Sequence, residues 1–165
     1  MNKTKKMVFM SLLTGIALVI YIVEAQIPVV FPGIKLGLAN VVSLAALIVF
    51  GWKEAFLIMF LRTILGSMFA GNMSSFLFSV SGGILSNLVM ALMYKYLKKY
   101  ISLWTISITG AIFHNIGQLF VAAIVIQDLR IYIYLPILLV SAIAAGLFIG
   151  LCCNILVKHL NKLQV

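Results

Sequence analysis

The sequence predicts an all-α, polytopic membrane protein of six transmembrane helices, forming one integral membrane domain over residues 1–165. Three observations carry this prediction. Hydrophobic residues make up 64% of the chain and charged residues 9%, with a mean hydropathy of +1.22. No soluble domain of this length hides so much apolar side chain, so the solvent is mostly lipid. The apolar runs recur at lengths near the roughly 20 residues that a helix needs to cross a bilayer. Finally, the basic residues behind the net charge of +9 punctuate these runs and form no soluble patch. They read as topology signals and argue against a nucleic-acid surface.

The first span, residues 7–27, follows Lys3, Lys5 and Lys6. Its basic start and the stretch Val23-Glu24-Ala25 loosely suit a cleavable signal. The apolar run is long for that purpose, and its loss would break an even count of spans, so it is expected to stay. Residues 31–37, FPGIKLG, then interrupt the pattern: Pro32, Gly33 and Gly37 break helices, and Lys35 puts a charge where the chain re-enters lipid. The second span, 36–50, is short. It is expected to be tilted, with its irregular start packed on protein, because bare backbone is not tolerated at membrane depth. The third span, 54–70, carries Arg62 near its middle. The fourth, fifth and sixth cover 74–94, 105–127 and 131–157. In this arrangement Lys3, Lys5, Lys6, Lys53, Lys95, Lys98, Lys99, Lys158 and Lys162 fall on one side, and the other receives Lys35 and Arg130. The positive-inside rule then places both termini in the cytoplasm.

Polar groups inside the spans need a partner or a purpose. Glu24, Lys35, Asn40, Arg62 and Asn72 map to the middle or outer half of the bilayer, as does GAIFHNIGQLF, with His114, Asn115 and Gln118. His114 and Gln118 share one helix face. These eight residues are the candidate substrate-binding set. They predict a polar cavity, open to the outside, for a small-molecule ligand. The competing reading makes them helix glue: Glu24 pairs with Lys35, Arg62 bonds backbone carbonyls, and His114 and Gln118 hold helices together. Asn87, further inward, reads as interhelical glue. Small residues recur at four-residue spacing in Ser11/Gly15, Gly82/Ser86 and Ala142/Gly146/Gly150, a pattern that lets helices approach closely. Such a contact is either internal or, at Ser11 and Gly15, a docking face for a partner.

Several activities are disfavoured. There is no Walker A motif. The three acidic residues, Glu24, Glu54 and Asp128, are unclustered, whereas magnesium-dependent chemistry on diphosphates needs grouped carboxylates. Cys152 and Cys153 are neighbours, which suits neither an ordinary disulfide nor a zinc site; they read as small packing residues. The chain is therefore expected to be no stand-alone enzyme, with no catalytic residues, metal site or cofactor.

Four stretches carry a family likeness: PGIKLGLAN before the second span, LRTILGSMFAG in the third, SVSGGILSN in the fourth and GAIFHNIGQLFVA in the fifth. In this order they resemble the heptaprenyl diphosphate synthase component I family, also called the Gx transporter family. That family is similar to the substrate-binding S components of energy-coupling-factor (ECF) importers. The resemblance implies a six-helix S-component-like bundle in a prokaryotic cytoplasmic membrane, with an outward-facing site for a small organic nutrient, such as a vitamin-, quinone- or isoprenoid-like compound. It implies as partners a membrane coupling subunit and separate ATPases, docked through small residues of the first helix. The family's Ala-xxx-Ala is here Ser11-xxx-Gly15. The family name also implies an alternative, a membrane accessory subunit in heptaprenyl diphosphate, and hence menaquinone, synthesis.

Overall fold

Six α-helices follow one another without a strand among the described residues of the computed structural model, which are 2–26, 35–70 and 73–162. They are α1 (Lys3–Ala25), α2 (Asn40–Val49), α3 (Trp52–Ala70), α4 (Met73–Leu97), α5 (Leu103–Ile126) and α6 (Leu135–Lys162). Four stretches, Lys3–Ala25, Ser75–Leu97, Leu103–Ile126 and Leu129–Leu160, are long and apolar enough to cross a membrane. Their outer faces agree with that setting: Leu12, Val19, Phe120, Val140, Phe148 and Ile155 are all exposed. A contiguous apolar surface of this extent belongs against lipid.

The second element departs most from the sequence expectation. Residues 36–39 are not helical, and α2 has 10 residues, a length of roughly 15 Å, about half a bilayer core. Residues 40–47 of α2 are all buried. A helix that is apolar all round belongs inside protein, and α2 is the centre about which α1, α3, α4, α5 and α6 pack. Leu44, Ala45 and Ala46 share a core with Leu13, Ile58, Met90, Ile106 and Ile149. A second core joins Phe78 of α4, Leu119 and Ala122 of α5, and Leu138 of α6.

Local chemistry sets the ends of the helices. Gly51, at φ +111°, turns the chain from α2 into α3, and its N–H donates back to the Ala46 carbonyl at 3.1 Å. The Ser102 hydroxyl caps α5 by accepting from the Thr105 N–H at 3.3 Å. Gln127 ends α5 in the left-handed conformation. The Asp128 carboxylate then accepts from the Arg130 N–H at 2.8 Å and starts a 3-10 segment, Leu129–Tyr134. For this reason α6 begins at Leu135 rather than Ile131, with Pro136 in its first turn, where a missing N–H costs nothing.

The basic residues mark one end of the bundle. Lys6 of α1 donates to Glu54 of α3 at 2.5 Å. An apolar groove at this end brings Gly51 and Trp52 together with Tyr94, Lys95 and Lys98. Of the three small-residue stripes, two are filled by α5. The Gly82 stripe meets the His114 carbonyl, and Gly146 and Gly150 meet Ile108 and Trp104. The third stays open, since nothing lies within 4 Å of where a Cβ on Gly15 would stand. Cys153 is fully buried in the first core.

Candidate functional site

Backbone at membrane depth must find partners inside the protein, and the loop before α2 finds them in side chains of α1 and α5. The Lys35 N–H donates to Gln118 Oε1 at 2.8 Å, and the Lys35 carbonyl accepts from Gln118 Nε2 at 2.8 Å. One amide thus closes both backbone groups of a loop residue, much as a neighbouring strand would. Two residues on, the N–H groups of Gly37 and Leu38 both donate to Glu24 Oε1. That carboxylate also sits at the N-terminal end of α2, where the helix dipole favours negative charge. Gly37 has φ +81°, and a Cβ there would lie 2.8 Å from His114 Cδ2 and 2.9 Å from Asn40 Nδ2. Glycine is therefore required twice, for the turn and for the approach of the imidazole and the amide.

Around this loop the charged groups converge. Arg62 of α3 donates from Nη2 to Asn40 Oδ1 at 2.7 Å. The Lys35 ammonium lies 3.2 Å from the centroid of the Tyr21 ring, a cation–π contact. The Tyr21 hydroxyl in turn donates to Ser79 Oγ at 3.1 Å, and the ring occupies the space that a side chain at Gly66 would fill. Glu24, Lys35, Asn40, Arg62, His114 and Gln118 are all at most 5% exposed. Glu24 forms an ion pair with neither cation. Sequence reasoning offered Lys35 as its partner, but the carboxylate turns to backbone N–H groups instead.

The expected set therefore divides. Glu24 and Gln118 hold the loop. Asn115 faces away, donating to the Leu138 carbonyl of α6 at 2.8 Å, so it ties α5 to α6. Four residues retain buried nitrogen atoms without a hydrogen-bond partner: Lys35 Nζ, Asn40 Nδ2, Arg62 Nε and His114 Nδ1. Asn72, and residues 31–34 of the broken segment, lie outside the described residues. Tyr21 was missed by sequence reasoning. It lies one turn before Glu24 on the same face of α1, and that spacing could have marked it.

Ser11 and Gly15 lie elsewhere, on a groove between α1 and α3 lined also by Met10, Thr14, Leu57 and Leu61. The Ser11 hydroxyl donates to the Met7 carbonyl of its own helix at 3.0 Å. No group of His, Cys, Asp and Glu that could hold a metal ion occurs among the described residues.

The loop, the Arg62 turn, the Gly82 stripe and the His114–Gln118 face all fall within residues 13–156, the stretch that matches heptaprenyl diphosphate synthase component I. The chain belongs to the heptaprenyl diphosphate synthase component I family. No curated protein and no solved structure matches it. The family match covers α2–α5 in full and leaves out only the ends of α1 and α6. Every described member of the candidate set, apart from Ser11, lies inside it.

Proposed function

We propose that this member of the heptaprenyl diphosphate synthase component I family is the substrate-binding subunit of an ECF-type importer, capturing a small organic nutrient from outside. The observation that carries the proposal is the polar cluster around residues 35–40. It places Lys35 and Arg62 inside an apolar bundle with unpartnered nitrogen atoms. Asn115, which ties α5 to α6 through Nδ2, also leaves its Oδ1 unpartnered, so Lys35 and Arg62 are set apart by charge: their unmet atoms sit on buried cations. Unmade bonds on buried cations are expensive and are retained where something else completes them. The open face at Ser11 and Gly15 supports the same reading, since it suits a membrane coupling subunit packing on α1. Energy would come from separate ATPases.

The test is reconstitution of the purified chain into proteoliposomes. The expected outcome is binding of the nutrient without accumulation, and accumulation only after the coupling subunit and ATPases are added. Concentrative uptake by this chain alone would overturn the proposal.

The family's description favours a second reading, a membrane accessory subunit of heptaprenyl diphosphate synthesis. Under it, a soluble prenyl diphosphate synthase co-purifies with this chain and loses activity when the chain is removed.

A further inference from the structure

We infer that the ligand of this cluster carries an anionic oxygen group, a carboxylate or a phosphate, received by Lys35 Nζ, Arg62 Nε and Asn40 Nδ2 beside the imidazole of His114. The inference rests on the ligand-capture reading above and names the chemistry of what is captured.

Of the four unpartnered nitrogens in this cluster, three can only donate: the Lys35 ammonium, the Arg62 guanidinium Nε and the Asn40 amide Nδ2. The fourth, His114 Nδ1, donates or accepts according to its tautomer. Within the cluster the unmet demand is therefore for acceptors, whereas the unpartnered Oδ1 atoms of Asn87 and Asn115 belong to residues whose Nδ2 bonds a helix carbonyl. The demand comes from three separate elements, the loop, α2 and α3, which argues against a local accident of one helix. The residues that carry the three donors meet around the loop, with the Cδ2–Nε2 edge of His114 beside Gly37 and its Nδ1 on the Gly82 side. Arg62 bonds Asn40 Oδ1, and this contact leaves Asn40 Nδ2 as the free end of that amide. Gly37, lacking a Cβ, lets Asn40 Nδ2 and the His114 ring meet at the loop. Lys35 is two residues before Gly37 and is held in place through both of its backbone groups by Gln118.

The charge balance points the same way. Lys35 and Arg62 bring two cations, and Glu24 brings one carboxylate, whose Oε1 is engaged by the Gly37 and Leu38 N–H groups. The Tyr21 ring under the ammonium attracts the charge without neutralising it. A cationic ligand would worsen this balance, and an apolar one would leave all three donors unmet. A neutral hydroxylated ligand would supply acceptors but no countercharge. An oxyanion supplies both, and bonds between ionised partners are the strong ones.

The experiment uses the full chain in phosphatidylcholine nanodiscs. Thermal unfolding is followed while sodium phosphate, sodium pyrophosphate and sodium acetate are each titrated against sodium chloride at matched ionic strength. Any small molecule retained from the cells is extracted and identified by mass spectrometry. Lys35→Met and Lys35→Arg are compared with the wild type. The expected result is stabilisation of the wild type by at least one oxyanion, or retention of an anionic molecule. Lys35→Met should weaken that binding roughly tenfold to a hundredfold, and Lys35→Arg should restore most of it. Ligand-free Lys35→Met should melt at the wild-type temperature or above, because an uncompensated buried cation has gone. A structural lysine predicts the opposite, a lower melting temperature and no oxyanion effect in any variant, and that outcome overturns the inference. Should Lys35→Met fail to fold, the wild-type titration and Lys35→Arg decide the matter by the same criteria.

The two readings fail separately. A retained neutral or cationic nutrient overturns the oxyanion while leaving capture intact. In a parallel preparation with phosphatidylglycerol, one tightly held lipid per chain, displaced by phosphate, would support the oxyanion site and overturn nutrient capture.

Discussion

At Gln118 a polar side chain inside a membrane span is explained without any ligand. Its amide gives and takes one hydrogen bond with the backbone of Lys35, 83 residues away in sequence. Leucine has a similar size and neither group. Gln118→Leu should therefore strand a buried N–H and a buried carbonyl, each worth about 1–3 kcal/mol when unsatisfied. The expected result is a loss of about 2–5 kcal/mol in unfolding free energy, read by denaturant titration in mild detergent. Lys35→Met is expected to behave in the contrary way, losing ligand and keeping stability. A loop that stays as stable in Gln118→Leu as in the wild type would show that the amide clamp is not what holds it.

The helices themselves separate two uses of the same pattern. Gly82 and Gly15 each sit in a small-xxx-small stripe, and the sequence treats them alike. The structure does not: a Cβ on Gly82 would stand 2.6 Å from the His114 carbonyl, whereas Gly15 faces open space. Gly82→Leu should thus unseat α4 from α5, lowering the melting temperature and disturbing the His114 face. Gly15→Leu should leave folding and ligand binding untouched and weaken only the association with a coupling subunit, measured by co-purification. If Gly15→Leu co-purifies as well as the wild type does, the open groove is merely a lipid-facing furrow. This contrast also marks how far the sequence can be read. Apolar runs, basic punctuation and breakers gave six helical segments in order, because composition and length are local properties. The start of α2 was placed four residues early, since Leu36–Ala39 are as apolar as a helix and their irregular path depends on Glu24 and Gln118. Membership of the polar set was legible as a list of costly residues. The division of labour within it was not, because Asn115 and Gln118 differ only in what each meets across the bundle, α6 for one and the loop for the other.

For the molecule as a whole, function depends on which end of the bundle faces out. Lys6 and Glu54 tie the starts of α1 and α3 together at the end rich in lysine, while the loop that carries Lys35 and Gly37 meets Glu24 near the far end of α1. The positive-inside rule predicts that a lysine-rich end stays in the cytoplasm, which would leave the cluster to be reached from outside, as the proposed capture of a nutrient requires. Two exposed positions at opposite ends test this. Tyr100, 83% exposed, follows α4 at the basic end, and Leu129, 76% exposed, follows α5 at the other. Each is replaced by cysteine in a Cys152→Ala, Cys153→Ala background, and intact cells are treated with a membrane-impermeant maleimide. Leu129→Cys should label at once, and Tyr100→Cys only after the membrane is permeabilised. Ligand binding must be retained in the same preparations, which shows that the substitutions have not inverted or unfolded the chain. The reverse labelling pattern would turn the cluster toward the cytoplasm. An importer could not load there, whereas a membrane accessory to a soluble synthase could still offer a site to an anionic product. Orientation therefore decides between the two proposed functions at the scale where neither a single residue nor a single helix can.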